Sequence, residues 1–135
     1  MSSGVKLIRS GSLSDVAQYA YAATVPADAR LIYLAGACPL DPDGATVGIG
    51  DVAAQARQCI ANLVTALAES GASLTDVMGT RVLVATTSRE DLVAAWQVVR
   101  AALGDHDAPS TLLGVTVLGY EGQLVEIEAI AAIRD

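Results

Sequence analysis

Apolar residues fall at helical spacing in two stretches of this chain and in strand-like runs in five others. Val52, Ala56, Ile60, Leu63, Val64 and Leu67 share one face of a helix predicted from about Asp51 to Ser70, which Gly71 ends. Leu92, Trp96, Val99 and Leu103 form the buried stripe of a second helix. Ser88 opens it, with Asp91 at the third position as a variant of the capping box, and Gly104 stops it. The strand-like runs are Val5–Arg9, Leu31–Ala35, Val77–Thr86, Ser110–Leu118 and Gln123–Ile133. The polar, glycine-rich stretch from Asp41 to Gly50 reads as a loop. The order ββαβαββ predicts an α+β fold, one mixed sheet with both helices on one face. The far face of that sheet would then need covering by other subunits.

The last strand carries charge where it should be buried. It reads Leu124-Val125-Glu126-Ile127-Glu128-Ala129-Ile130-Ala131. Strand side chains alternate, so Glu126 and Glu128 point one way while Val125, Ile127, Ala129 and Ala131 point the other. A carboxylate on a buried strand costs several kcal/mol unless it finds a partner, a hydrogen bond or a proton, and two on one face repel. Such a group is a candidate acid or base for a small ligand. The alternative is one carboxylate salt-bridged at a subunit contact and the other in solvent. Arg81, mid-strand among Val82, Leu83 and Val84, is placed to bridge a carboxylate such as Glu128 on a neighbouring strand.

Composition sharpens this picture. The 135 residues make one domain, 1–135, in which 1–18 are a lead-in with a possible first strand. Hydrophobic residues are 53% of the chain and charged residues 17%, against roughly 25% in an ordinary soluble domain. That surplus of apolar surface predicts an oligomer. The net charge of −7, with no run of Lys or Arg, argues against binding nucleic acid. The start, Met1-Ser2-Ser3-Gly4, lacks signal-peptide features, and the longest uncharged stretch, Ala108–Tyr120, is too short to cross a bilayer. A cytoplasmic protein with no membrane partner is expected. Cys38 and Cys59 are expected to be reduced thiols, one beside a turn and one on a helix.

Conventional chemical motifs are missing: no GxGxxG, no GxxxxGK[ST] and no HExxH. His106 lies between Asp105 and Asp107 in a loop that is ordinarily solvated, so neither a metal nor a cofactor is expected.

Five segments, in order and at matching separations, resemble the Rid family, also called YjgF or RidA after its reactive-intermediate deaminases, with the older name endoribonuclease L-PSP. They are Tyr21–Val25, Leu34–Asp41, Gln55–Gln58 through Asn62–Leu63, Gly71–Val77 and Leu124–Ala131. The resemblance runs from about Tyr19 to Ile133. It implies a chorismate-mutase-like α+β domain in a homotrimer, with a small-molecule ligand in a cleft between subunits.

Deaminating members hydrolyse 2-imino acids to 2-keto acids and ammonia. In them a tyrosine lines the cleft and a glutamate positions the attacking water; the matching residues here are Tyr21 and Glu126. The arginine that grips the substrate carboxylate, just before the Ser of the penultimate strand, is replaced by Pro109, ahead of Ser110. The resemblance further places Thr111 at the small polar position two residues later, Ala35 for the serine of an SGQ turn whose glycine is kept as Gly36, and Trp96 for an asparagine on the second helix. The substrate is therefore expected to be a reactive imine or enamine other than a standard 2-imino acid. The alternatives are a non-catalytic trimer that binds a metabolite and, disfavoured by the acidic charge, an RNase or translation inhibitor.

Overall fold

The structure, a computed structural model, describes residues 4–135. Its elements are β1 (Lys6–Ile8), β2 (Ala22–Thr24), β3 (Arg30–Tyr33), α1 (Val52–Glu69), β4 (Val77–Ala85), α2 (Arg89–Leu103), β5 (Ser110–Val115) and β6 (Val125–Ile133), with a 3-10 turn at Leu74–Asp76. Four strands form a mixed sheet in the order β3-β6-β4-β5. β6 is antiparallel to both neighbours, and β4 and β5 run parallel, joined through α2. This is the expected α+β arrangement, with one difference at the amino end. β1 leaves the sheet and pairs antiparallel with β2, a strand that the hydrophobic pattern does not predict. Its three residues, Ala22-Ala23-Thr24, are too short and too uniform to show alternation.

Both helices pack on one face of the sheet. Leu63 and Leu67 of α1 and Val99 and Leu103 of α2 meet Val82, Val84, Val125, Ile127, Ala129 and Ala131 in one aliphatic core. The side chain of Asp51 caps α1 by accepting from the Ala54 N–H at 3.0 Å. Gly71, at φ +84°, supplies the left-handed turn that ends it. The buried stripe of α1 is rotated from the expected one. Val64 is exposed, while Gln55 and Cys59 are fully buried. Gln55 tolerates burial because its amide donates to the carbonyls of Gly48 and Gly122, and its oxygen accepts from the Leu124 N–H.

The capping box expected at Ser88 is not formed. The carboxylate of Asp91 accepts from Thr86 Oγ1 at 2.7 Å, and the Ser88 N–H donates to that same Thr86 oxygen. β5 stops at Val115 and β6 starts at Val125, both short of the predicted ends. Among the described residues no helix is long and apolar enough to cross a membrane.

The other face of the sheet is uncovered. Leu31 and Tyr33 of β3 and Ile130 of β6 lie there, 60%, 82% and 37% exposed, and Tyr33 is register partner to Ile130. Glu126 and Glu128 occupy this same face.

Candidate active site

Because Val125, Ile127 and Ala129 point into the core, β6 must present Glu126 and Glu128 on the uncovered face. After β3 the chain continues beside β6. Ala37 and Ile127 exchange backbone hydrogen bonds of 2.7 and 3.0 Å, which brings Gly36 and Cys38 against Glu126. A methyl group on Gly36 would overlap Glu126 Oε2 and stand 2.8 Å from Cδ and 3.1 Å from Cγ. Glycine is therefore required here by close approach rather than by backbone angle.

Glu126 Oε1 accepts from two donors, Cys38 Sγ at 3.3 Å and Gln123 Nε2 at 3.3 Å. Oε2 accepts no hydrogen bond among the described residues. The Cys38 thiol is pushed up to about 11, chiefly by burial and then by the Glu126 carboxylate it donates to. It is a neutral donor at physiological pH and not a thiolate nucleophile. Cys59, behind the sheet on α1, is likewise raised by burial, and its Sγ donates to the Val125 carbonyl. Both cysteines are free.

Two residues along β6, Glu128 pairs with Arg81 across the strand register, Nη1 to Oε1, at 3.3 Å. Both are half-exposed. Thr111 is Arg81's partner on its other side. The row Glu128–Arg81–Thr111 therefore crosses the uncovered face, and Glu126–Leu83–Leu113 lies next to it. A depression of about 310 Å³ opens beside the first row, lined in part by Tyr33, Arg81, Glu128 and Ile130.

The remaining residues singled out by resemblance gather at the β5 edge. Trp96, Ser110 and Thr111 line a depression of about 360 Å³ together with Tyr19. Tyr19 packs edge-on to Trp96 and 5.4 Å from the ring of Tyr21. Tyr21 donates to the Ser14 carbonyl. Ser110 Oγ donates to the Ala108 carbonyl and accepts from Thr80 Oγ1 at 2.6 Å. Pro109 contributes its carbonyl, which accepts from the Thr80 N–H. His106 donates from Nε2 to the Val77 carbonyl, and the Asp107 carboxylate binds Arg9.

The chain thus holds two separate groups. Gly36 and Glu126 touch, with exposed Ala35 beside them; Tyr21, Trp96, Ser110 and Thr111 collect at the edge. β5 lies two strands from β6, about 10 Å away, and among the described residues no hydrogen bond or ion pair joins the groups. Cys38 and Gln123, which hold Glu126, do not emerge from the hydrophobic pattern. Cys38 is distant in sequence, and Gln123 sits in the turn before the strand.

The model of the endoribonuclease L-PSP family matches residues 12–133. A 2-iminobutanoate/2-iminopropanoate deaminase of Rattus norvegicus is 31% identical over 131 residues, 97% of this chain and 93% of its own length. A RutC family protein of Pyrococcus abyssi is 31% identical over 102 residues, 76% of this chain and 78% of its own. Among solved structures, YyfB of the Rid protein family from Yersinia pestis superposes with a TM-score of 0.87 at 28% identity, covering 96% of this chain and 99% of that one.

Proposed function

The chain belongs to the Rid (YjgF) family, and on that premise we propose that it hydrolyses a small imine or enamine, with Glu126 orienting the attacking water. The observation that carries this reading is the unpartnered Oε2 of Glu126 on the uncovered face of the sheet, beside an Oε1 already held by two donors. A water on Oε2 would lose a proton to the carboxylate as its oxygen attacks the C=N carbon and the π electrons move to nitrogen. Returning that proton to nitrogen gives the carbinolamine, and moving its hydroxyl proton to nitrogen by way of the same carboxylate then breaks the C–N bond. Ammonia leaves and a carbonyl remains, with one water consumed. The likeness to a rat 2-imino acid deaminase supports C=N hydrolysis.

The substrate in this reading lacks the carboxylate of a 2-imino acid. Pro109 has no charge and no N–H to offer one, and Arg81, the guanidinium on the uncovered face, is bound by Glu128. The homotrimer is part of the proposal. The exposed Leu31, Tyr33 and Ile130 form an apolar surface suited to another copy of the chain, and such packing would bring the edge residues of one subunit to Glu126 of the next. The net charge of −7 suits a small-molecule ligand better than RNA. A second reading, metabolite binding without turnover, draws on the same Pro109.

The test is competition with semicarbazide for imines generated in situ by an amine or amino-acid oxidase. Faster loss of trappable imine with the protein, abolished in Glu126→Gln, is the expected result. Equal trapping with and without protein, across amino-acid and amine substrates, would leave the binding reading in its place.

A further inference from the structure

We infer that Cys38 and Gln123 are positioning residues for Glu126, which occupy Oε1 so that Oε2 alone is left to hold water. The inference rests on the reading of Glu126 as the base. A carboxylate offers about four lone-pair sites and a glutamate side chain several rotamers, so an unheld Glu126 would present either oxygen in several directions. The structure removes that freedom. Gln123 is only 4% exposed and all its polar atoms are engaged. Nε2 donates to Glu126 Oε1 at 3.3 Å and to the Val125 carbonyl at 3.0 Å, and Oε1 accepts from the Tyr120 N–H at 3.1 Å. This pattern allows one orientation of the amide.

Cys38 is anchored as firmly. Asn62 Nδ2 donates to its carbonyl at 2.8 Å, and the Ala37–Ile127 bridge lies one residue away. Its single S–H proton has two acceptors in reach, Glu126 Oε1 at 3.3 Å and the Gly36 carbonyl at 3.6 Å. The carboxylate is both the nearer and the charged one, so it takes the proton.

Both donors hold Oε1 in one place, so removing either frees the carboxylate to turn. The other ionisable groups around it are Cys59 on α1 behind the sheet, Glu128 on its own strand, and Arg81 on β4, which Glu128 neutralises. None of these changes in the variants below.

The experiment compares crystal structures of the unsubstituted protein, Cys38→Ala, Gln123→Leu and Cys38→Ser, reading the placement of the Glu126 carboxylate beside imine turnover. Thermal melts confirm that each variant is folded. The expected result is a Glu126 carboxylate that turns away or spreads over several rotamers in Cys38→Ala and in Gln123→Leu, with Cys38→Ser, which restores a donor, close to the original. On an imine substrate, kcat should fall about tenfold with KM unchanged, and Cys38→Ser should recover most of that loss. A Glu126 carboxylate unmoved in folded Cys38→Ala would overturn the inference, whatever the activity. A displaced carboxylate in the variants of a protein that turns over no imine would instead sink the deaminase reading while leaving the positioning intact.

Discussion

Replacing Gly36 with alanine separates the position of Glu126 from its mere presence. Gly36 is not in the left-handed region, so alanine adopts its backbone without strain. Removing glycine from the unfolded chain contributes about 0.4–1 kcal/mol of stability. Against this, the new methyl would overlap Oε2 and lie 2.8 Å from Cδ and 3.1 Å from Cγ. Nonbonded atoms attract at about 3.5–4.0 Å, so the carboxylate must retreat by about 1 Å. It can do so without moving backbone, and the weakened hydrogen bonds from Cys38 and Gln123 to Oε1 offset the gain from the lost glycine. Fold and melting temperature should therefore be nearly unchanged.

Catalysis should not survive so well. A reacting group misplaced by about 1 Å costs about 100-fold in rate, or about 2.7 kcal/mol of barrier. The assay is imine turnover in Gly36→Ala beside a thermal melt, with Glu126→Asp added in the double variant. The shorter side chain relieves the overlap, so the double variant should lose less than the two single losses combined. A folded Gly36→Ala with the original rate would refute the claim that this close approach sets the geometry of the base.

Two further outcomes follow from the same face of the molecule. The Cys38 thiol, raised to about 11 by burial and by Glu126, should react with iodoacetamide at a rate that climbs with pH toward that value, and Glu126→Gln should lower the midpoint while burial keeps it above an ordinary thiol. The unfolded chain ionises first, so this group's contribution to stability is lost as pH rises from the ordinary thiol value toward about 11. Tyr33→Glu together with Leu31→Glu places like charges on the uncovered face. If the proposed trimer forms through this face, the pair should shift the species seen by light scattering toward monomer, and an unchanged oligomer would show that subunits meet elsewhere.

Long, regular elements were readable in the sequence because their period is imposed by burial over many residues. Both helices follow from apolar spacing, and the common face of Glu126 and Glu128 follows from the two-residue period of a strand. The Arg81–Glu128 pair follows from a cation and an anion each stranded mid-strand, which have nowhere better to go. What the pattern misses is set by single contacts across long separations. Gln55 looks polar and solvent-bound until Gly48, Gly122 and Leu124 are brought to it. Cys38 looks like a turn residue until Glu126, 88 positions later, arrives beside it. β2 is three small residues held by pairing to β1, with no periodicity of its own.

The missing arginine and the retained glutamate are reconciled by where each sits. The proposed base, Glu126, is on β6, and Pro109, where the resemblance puts the carboxylate clamp, precedes β5, two strands away, so one can be lost without disturbing the other. What replaces the clamp matters for charge. The two adjoining rows on the uncovered face carry two carboxylates, Glu126 and Glu128, against one guanidinium, and that guanidinium is committed 3.3 Å from Glu128. A substrate carboxylate about 4 Å from Glu126 would meet repulsion of about 4 kcal/mol at the effective dielectric of a protein surface. A neutral imine escapes that repulsion, and its protonated iminium, the more electrophilic form, is attracted by the same charge. In the proposed reading, Pro109 would change which C=N compound is admitted while leaving Glu126 in place to hydrolyse it.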